Sequence, residues 1–144
     1  HEELIKQVRS TGARIKLIPD GDVSAVIATS IDDSGIDIYM GVGGSPEGVL
    51  AAAALSCMGG QIQTRLVLDE DQKKRANNLG VQDVKKKYNI DDMIKGDVIF
   101  CATGVTSGDL ANGVKDLGNE YEVNTFALHK SQKLIKKFTN IYNK

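Results

Sequence analysis

The stretch Gly41-Val-Gly-Gly-Ser-Pro-Glu-Gly-Val-Leu-Ala-Ala-Ala-Ala54 constrains this chain more than any other. Its glycines permit a sharp turn, Ser45 can serve as a helix N-cap, Pro46 suits the first helical position, and Glu47 complements the positive end of the helix dipole. The spacing predicts a helix over residues 47–58, stopped by Gly59-Gly60. Its interior, Val49 to Leu55, is small and apolar on every side. A helix with no polar face must be packed from several directions, so this one is expected at the centre of the fold. Ile36-Asp-Ile-Tyr-Met40, just ahead of the turn, alternates as a strand does.

The remaining chain alternates between the two periodicities. Leu4, Ile5 and Val8 recur at helical spacing before Gly12, predicting a helix over 2–11. Arg14 to Ile18 reads as a strand emptying into Pro19-Asp-Gly-Asp22, and Val23 to Thr29 as a short buried helix capped by Asp22. Gln61 to Leu68 reads as a strand, and residues 69–88 as a charged helical stretch broken at Asn77-Asn-Leu-Gly80. Asp97 to Thr103 is an apolar strand that opens into Gly104-Val-Thr-Ser-Gly108. Glu122–His129 and Lys133–Tyr142 flank a short connection and predict a hairpin. The expected fold is α/β, a layered α/β/α sandwich with a mixed sheet. Ligands of such folds gather at the carboxyl ends of strands, where this chain has three polar, glycine-rich turns.

Composition narrows the function. With 144 residues the chain has a single-domain length, and its 18 basic and 19 acidic residues nearly cancel. No global field favours nucleic acid or an anionic membrane. No apolar run approaches the ~20 residues of a membrane helix, and no leader-like segment opens the chain, so a cytoplasmic location is expected. Cys57 and Cys101 sit in apolar runs and read as buried reduced thiols. The chain begins at His1 with helical pattern already under way, as a piece cut from a longer polypeptide does.

Each turn admits a chemical and a structural reading. Asp20-Gly21-Asp22 can accept hydrogen bonds from sugar hydroxyls or ligate a hard cation; it also suits a plain turn and helix cap. At Gly43-Gly44 the backbone can approach a phosphate that the following helix N-terminus attracts. Glu47 beside such an anion calls for a divalent cation between them, unless it is simply a favourable first-turn acid. A dinucleotide fingerprint counted from Gly43 reaches Gly48 only after the helix has begun. Thr103 to Gly108 offers hydroxyls and amides to a phosphate, or makes a tight connection. Ser-His-Asp catalysis is poorly supported, since His1 is terminal, His129 falls in an expected strand and no nucleophile elbow exists. The lysine runs read as solvated faces.

Ile18-Pro-Asp-Gly-Asp-Val23, Gly41 to Ala54, Cys57-Met-Gly-Gly60 and Ala102-Thr-Gly-Val-Thr-Ser-Gly-Asp-Leu110 resemble, in order and spacing, the class II fructose-1,6-bisphosphatases. The resemblance implies a cytosolic, divalent-metal-dependent sugar-bisphosphate phosphatase of gluconeogenesis, with Mn²⁺ or Mg²⁺ as cofactor and fructose or sedoheptulose bisphosphate as substrate. It implies a fold similar to the lithium-sensitive inositol and fructose phosphatases. Asp20, Gly21 and Asp22 match the segment that holds the sugar, Gly44 a further substrate contact, and Glu47 a metal-ligating carboxylate. The family's other metal carboxylates and its basic substrate-binding residues have no counterpart after His1. By this resemblance residues 1–144 are the C-terminal half of the enzyme, inactive without the N-terminal half, and the complete enzyme is a homo-oligomer. Leu128-His-Lys-Ser-Gln132 departs from the family's pattern. Two other readings stand beside it: a non-catalytic sugar-phosphate-binding module, and a nucleotide-binding oxidoreductase domain.

Overall fold

A computed structural model describes residues 1–144. Along the chain run α1 (Glu2–Ser10), α2 (Asp22–Ala28), α3 (Ser45–Met58), β1 (Gln63–Arg65), α4 (Glu70–Asn78), β2 (Lys87–Asn89), α5 (Ile90–Met93), β3 (Ile99–Thr103), β4 (Lys115–Asp116), β5 (Glu120–His129) and β6 (Leu134–Asn143). Helices and strands both contribute, as an α/β chain requires.

Local chemistry accounts for the helix boundaries. In α4, Asp69 accepts the Gln72 amide at 2.8 Å while the Gln72 side chain accepts the Asp69 amide at 3.0 Å, a reciprocal cap. Helix α3 starts earlier than expected. Ser45 makes no capping bond; instead the Glu47 carboxylate reaches back to the Gly44 amide at 2.9 Å, which makes Gly44 the cap and draws Ser45 and Pro46 into the first turn. Its far end closes on Gly59, left-handed at φ 77°. Helix α2 begins from Gly21, left-handed at φ 82°, and Asp22 is its first residue rather than its cap.

The sheet is organised by β5. Strand β6 pairs along one edge of it from Glu120 to His129, while β3 and β4 share the other edge. Every pairing, including the separate β1–β2 ladder, is antiparallel, because the long partners are joined by a hairpin rather than by a helical crossover. Alternation then sorts the faces. Phe100, Phe126 and Leu128 point to one side and form a buried cluster with Ile27 of α2 and Ala54 of α3. A second cluster, Val26, Ala51 and Leu55, receives Tyr39, Ile62 and Ile90. Thus α3 is packed from several sides, as its all-apolar sequence demands.

Three expectations need correction. Residues 14–18 and 36–40 have strand-like alternation but no ladder partner, and 61–68 is strand only at Gln63–Arg65. A strand exists only where another backbone meets it, and within residues 1–144 none does. Cys101 is exposed, because alternation in β3 turns it away from Phe100; Cys57 is half-buried, its thiol 3.6 Å from the Val98 carbonyl. Finally, one helical layer covers the sheet, and the opposite face, with Ile99 and Phe138, stands open.

The chain exposes 10,444 Å². A compact monomer of 15.5 kDa exposes about 7,200 Å² by the area scaling of folded proteins. Nineteen large hydrophobic residues are among the exposed, including Leu17, Ile38, Met40 and Leu50. No helix is long and apolar enough to cross a membrane.

Candidate functional site

Packing of α2 against α3 brings their N-terminal turns together. Asp22 makes no bond to its own helix end. Its carboxylate instead stands over the glycine turn, where a Cβ on Gly43 would lie 2.5 Å from Oδ2. The same Cβ would lie 3.7 Å from Oε2 of Glu47, and one on Gly44 only 2.8 Å from it. Two carboxylates from helices about twenty residues apart in sequence therefore flank Gly43 and Gly44, and any side chain there would occupy the space they share. This is the physical reason for the glycine pair.

Tyr39 completes the arrangement. Its ring packs on the Val26, Ala51 and Leu55 cluster and its hydroxyl lies over Gly41. Burial first, then a hydrogen bond to Asp22 and the charges of Asp22 and Glu47, push its pKa up to about 12. The phenol is therefore neutral across the ordinary pH range, close to the Asp22 carboxylate. Sequence reasoning missed Tyr39 as a site residue; its signal was a lone polar-tipped aromatic two residues before Gly41.

The predicted residues are brought together unequally. Asp22, Gly44 and Glu47 meet around Gly43. Gly21 supplies the left-handed turn that aims Asp22. Asp20 is exposed at the rim of that turn, and its carboxylate bonds to no other residue. The chain gathers no group of three or more His, Cys, Asp or Glu side chains. Glu47 spends Oε2 on the Gly44 amide and keeps Oε1 free, so it fits as one ligand of a hard cation whose remaining ligands come from elsewhere.

Two other polar clusters have structural roles. The Ser107 hydroxyl accepts the Gly113 amide at 3.0 Å, and Gly104 presses on the Asn112 backbone, which makes residues 104–113 a tightly closed loop. Asp97 takes the Ser131 hydroxyl at 2.7 Å, the Ser131 amide at 3.0 Å and His129 Nε2 at 2.8 Å. The Ser131 hydroxyl first and His129 second hold the Asp97 carboxyl well below the usual carboxylate range. This is no catalytic triad. Nε2 faces both the acid and the hydroxyl, whereas a relay needs opposite ring nitrogens. The cluster clamps the hairpin turn to the entry of β3.

A dinucleotide turn lacks its context here. Gly48 bonds back to Gly44 at 3.0 Å as part of the helix, and no paired strand precedes the turn.

Paired acids and a close-approach glycine turn at the N-terminus of a central helix form a site whose chemistry suits a phosphoryl or polyol ligand, on an α/β protein. The family described as bacterial fructose-1,6-bisphosphatase, glpX-encoded, matches residues 1–142, and the chain belongs to it. A "D-fructose 1,6-bisphosphatase class 2/sedoheptulose 1,7-bisphosphatase" of Synechococcus sp. (strain JA-3-3Ab) is 35% identical over all of this chain and 46% of its own length. The protein of that name from Trichodesmium erythraeum is 39% identical over 83% of this chain and 39% of its own length. A "Fructose-1,6-bisphosphatase class 2" of Haemophilus influenzae is 35% identical over 99% and 47%. The chain thus spans about half the length of the curated relatives it matches.

Proposed function

We propose that this chain is the C-terminal half of a cytoplasmic, homo-oligomeric phosphatase that hydrolyses the 1-phosphate of fructose 1,6-bisphosphate to give fructose 6-phosphate. Sedoheptulose 1,7-bisphosphate is the second substrate of the same chemistry. The observation that carries this reading is the convergence of Asp22 and Glu47 on Gly43-Gly44 in a member of the bisphosphatase family. Glu47 contributes one carboxylate oxygen to a divalent cation, Mn²⁺ or Mg²⁺. Such a cation, when bound, polarises a phosphoryl oxygen and lowers the pKa of a bound water. Asp22, oriented by the Tyr39 phenol, accepts sugar hydroxyls together with Asp20, and Gly21 and Gly44 let the sugar approach the backbone.

One Glu does not hold a catalytic cation, so residues 1–144 alone are inactive and the rest of the enzyme must complete the site. The surface area supports this: roughly 3,000 Å² beyond that of a compact monomer is exposed, and it carries apolar residues fit for burial against the N-terminal half. The complete enzyme takes on the layered fold of the lithium-sensitive phosphatases, in which residues 14–18 and 36–40 gain strand partners.

Phosphate release from fructose 1,6-bisphosphate with Mn²⁺ tests the reading on three proteins: a polypeptide of the relatives' full length, its Glu47→Ala variant, and this chain. Turnover by the first alone is expected, with the variant down at least about a hundredfold. A variant as active as its parent leaves Glu47 as a helix-start residue only, and robust turnover by residues 1–144 overturns the split site.

A further inference from the structure

Helix α1 buries no residue, and its bonds close on themselves: the Lys6–Glu2 ion pair, Gln7 to Glu3, and the Ser10 and Thr11 hydroxyls all stay within residues 1–13. One hydrogen bond leaves it. At the N-cap, Nε2 of His1 accepts the Val42 amide at 3.3 Å. That bond spans 41 positions and lands between Gly41 and Gly43, inside the turn that carries the site.

Val42 has no other acceptor, since no amide from 35 to 43 donates to a backbone carbonyl. The chain is anchored on either side of it. Tyr39 is held by its ring in the Val26, Ala51 and Leu55 cluster, and the Gly44 amide by the Glu47 carboxylate at 2.9 Å. Between those anchors lie only Gly41, Val42 and Gly43. Two glycines in three residues leave this limb wide conformational freedom, and fixing it costs entropy. The His1 bond is the contact that supplies the restraint. The ring's own backbone is fixed, because the His1 carbonyl accepts the Ile5 amide at 2.9 Å in the first turn of α1. An accepting Nε2 carries no proton, so the neutral ring keeps its proton on Nδ1. Val42 is 61% exposed, so water competes for its amide and the bond has a modest worth. Its effect falls on which turn conformation is populated, not on the stability of the fold.

We propose that His1 is a positioning residue of the site, its imidazole fixing the Gly41–Gly43 limb so that Gly43 meets Asp22 and Gly44 is presented to the sugar. It acts through Val42 and touches no reacting atom. What the turn presents rests on the phosphatase reading above; the bond itself does not.

The test uses a polypeptide of the relatives' full length and three variants. His1→Ala removes ring and acceptor, His1→Phe keeps a ring without an acceptor, and His1→Gln keeps an acceptor without a ring. With ¹⁵N-valine labelling, hydrogen exchange at the Val42 amide is expected to quicken about three- to tenfold in the Ala and Phe variants, the scale of one hydrogen bond, and to stay near the parent's rate in the Gln variant. In phosphate release from fructose 1,6-bisphosphate with Mn²⁺, KM is expected to rise by a similar factor in the Ala and Phe variants while kcat and the thermal midpoint hold, and His1→Gln recovers most of the loss. Val42 exchange indifferent to the variants, an unchanged KM, or a Gln variant as poor as the Ala variant overturns the proposal. A parent without turnover sinks the phosphatase reading instead, and Val42 exchange alone then decides whether His1 holds the turn.

Discussion

Between residues 97 and 143 the backbone is largely paired, ten residues of β5 facing ten of β6. Between residues 13 and 21, and again between 35 and 43, no amide donates to a backbone carbonyl. Both regions carry alternating apolar sequence. The sheet realises its alternation because the hairpin places its partner a few residues away, so loop closure costs little. The segments that lead into the site have no such neighbour, and their Leu17, Ile38 and Met40 remain exposed. Self-sufficient secondary structure and the site thus occupy different parts of the molecule, and they should fail in different ways.

The largest effect expected on this contrast comes from the sheet side. Leu128 is fully buried between α2, α3 and β3, and Leu128→Ala should cost ~2–5 kcal/mol in chemical denaturation, the usual loss for a buried leucine. A loss below about 1 kcal/mol would mean the sheet is not the stable core.

On the site side, Gly43→Ala sets a methyl 2.5 Å from the Asp22 carboxylate without straining the backbone. The short acid must swing away. Activity of the full-length enzyme should fall about ten- to a hundredfold, the scale of a misplaced binding group. Its unfolding midpoint should barely move. A destabilisation as large as that of Leu128→Ala would erase the distinction between the two regions.

The smallest effects separate the regions by pH. Asp97 has a depressed carboxyl in the folded state, against about 3.9 when unfolded. Its contribution is complete above that value and is lost as the pH falls further, which loosens the hairpin clamp; Asp97→Asn should flatten this acid limb of a melting-temperature profile. Tyr39 moves oppositely. Its phenol is raised to about 12, so its contribution is present below the unfolded value of about 10 and is lost between the two. Tyr39→Phe should flatten the alkaline limb alone.

Legibility followed the range of the interactions. Helices α1 to α4, the glycine stop at Gly59 and the hairpin all rest on contacts within a few residues, so composition and spacing reveal them. The central packing of Ala51 to Leu55 in α3 was equally plain from its small apolar run, although Val49 and Leu50 in the same run stay exposed. Of the site, the glycine turn and both flanking acids were visible as motifs. Their convergence on Gly43, Tyr39's part in it and the bond from Val42 to His1 were not, because each joins segments that only packing brings together.

What residues 1–144 determine by themselves is therefore local: caps, turns, faces, and which helix must be central. Tertiary structure decided that Asp22 leaves its own helix for the Gly43 turn, that Ser131 rather than a catalytic relay engages His129 and Asp97, and that the alternating segments 14–18 and 36–40 stand unpaired. Periodicity specifies which face of an element is apolar, but the identity of what covers that face is set by distant chain, and periodicity carries no record of it.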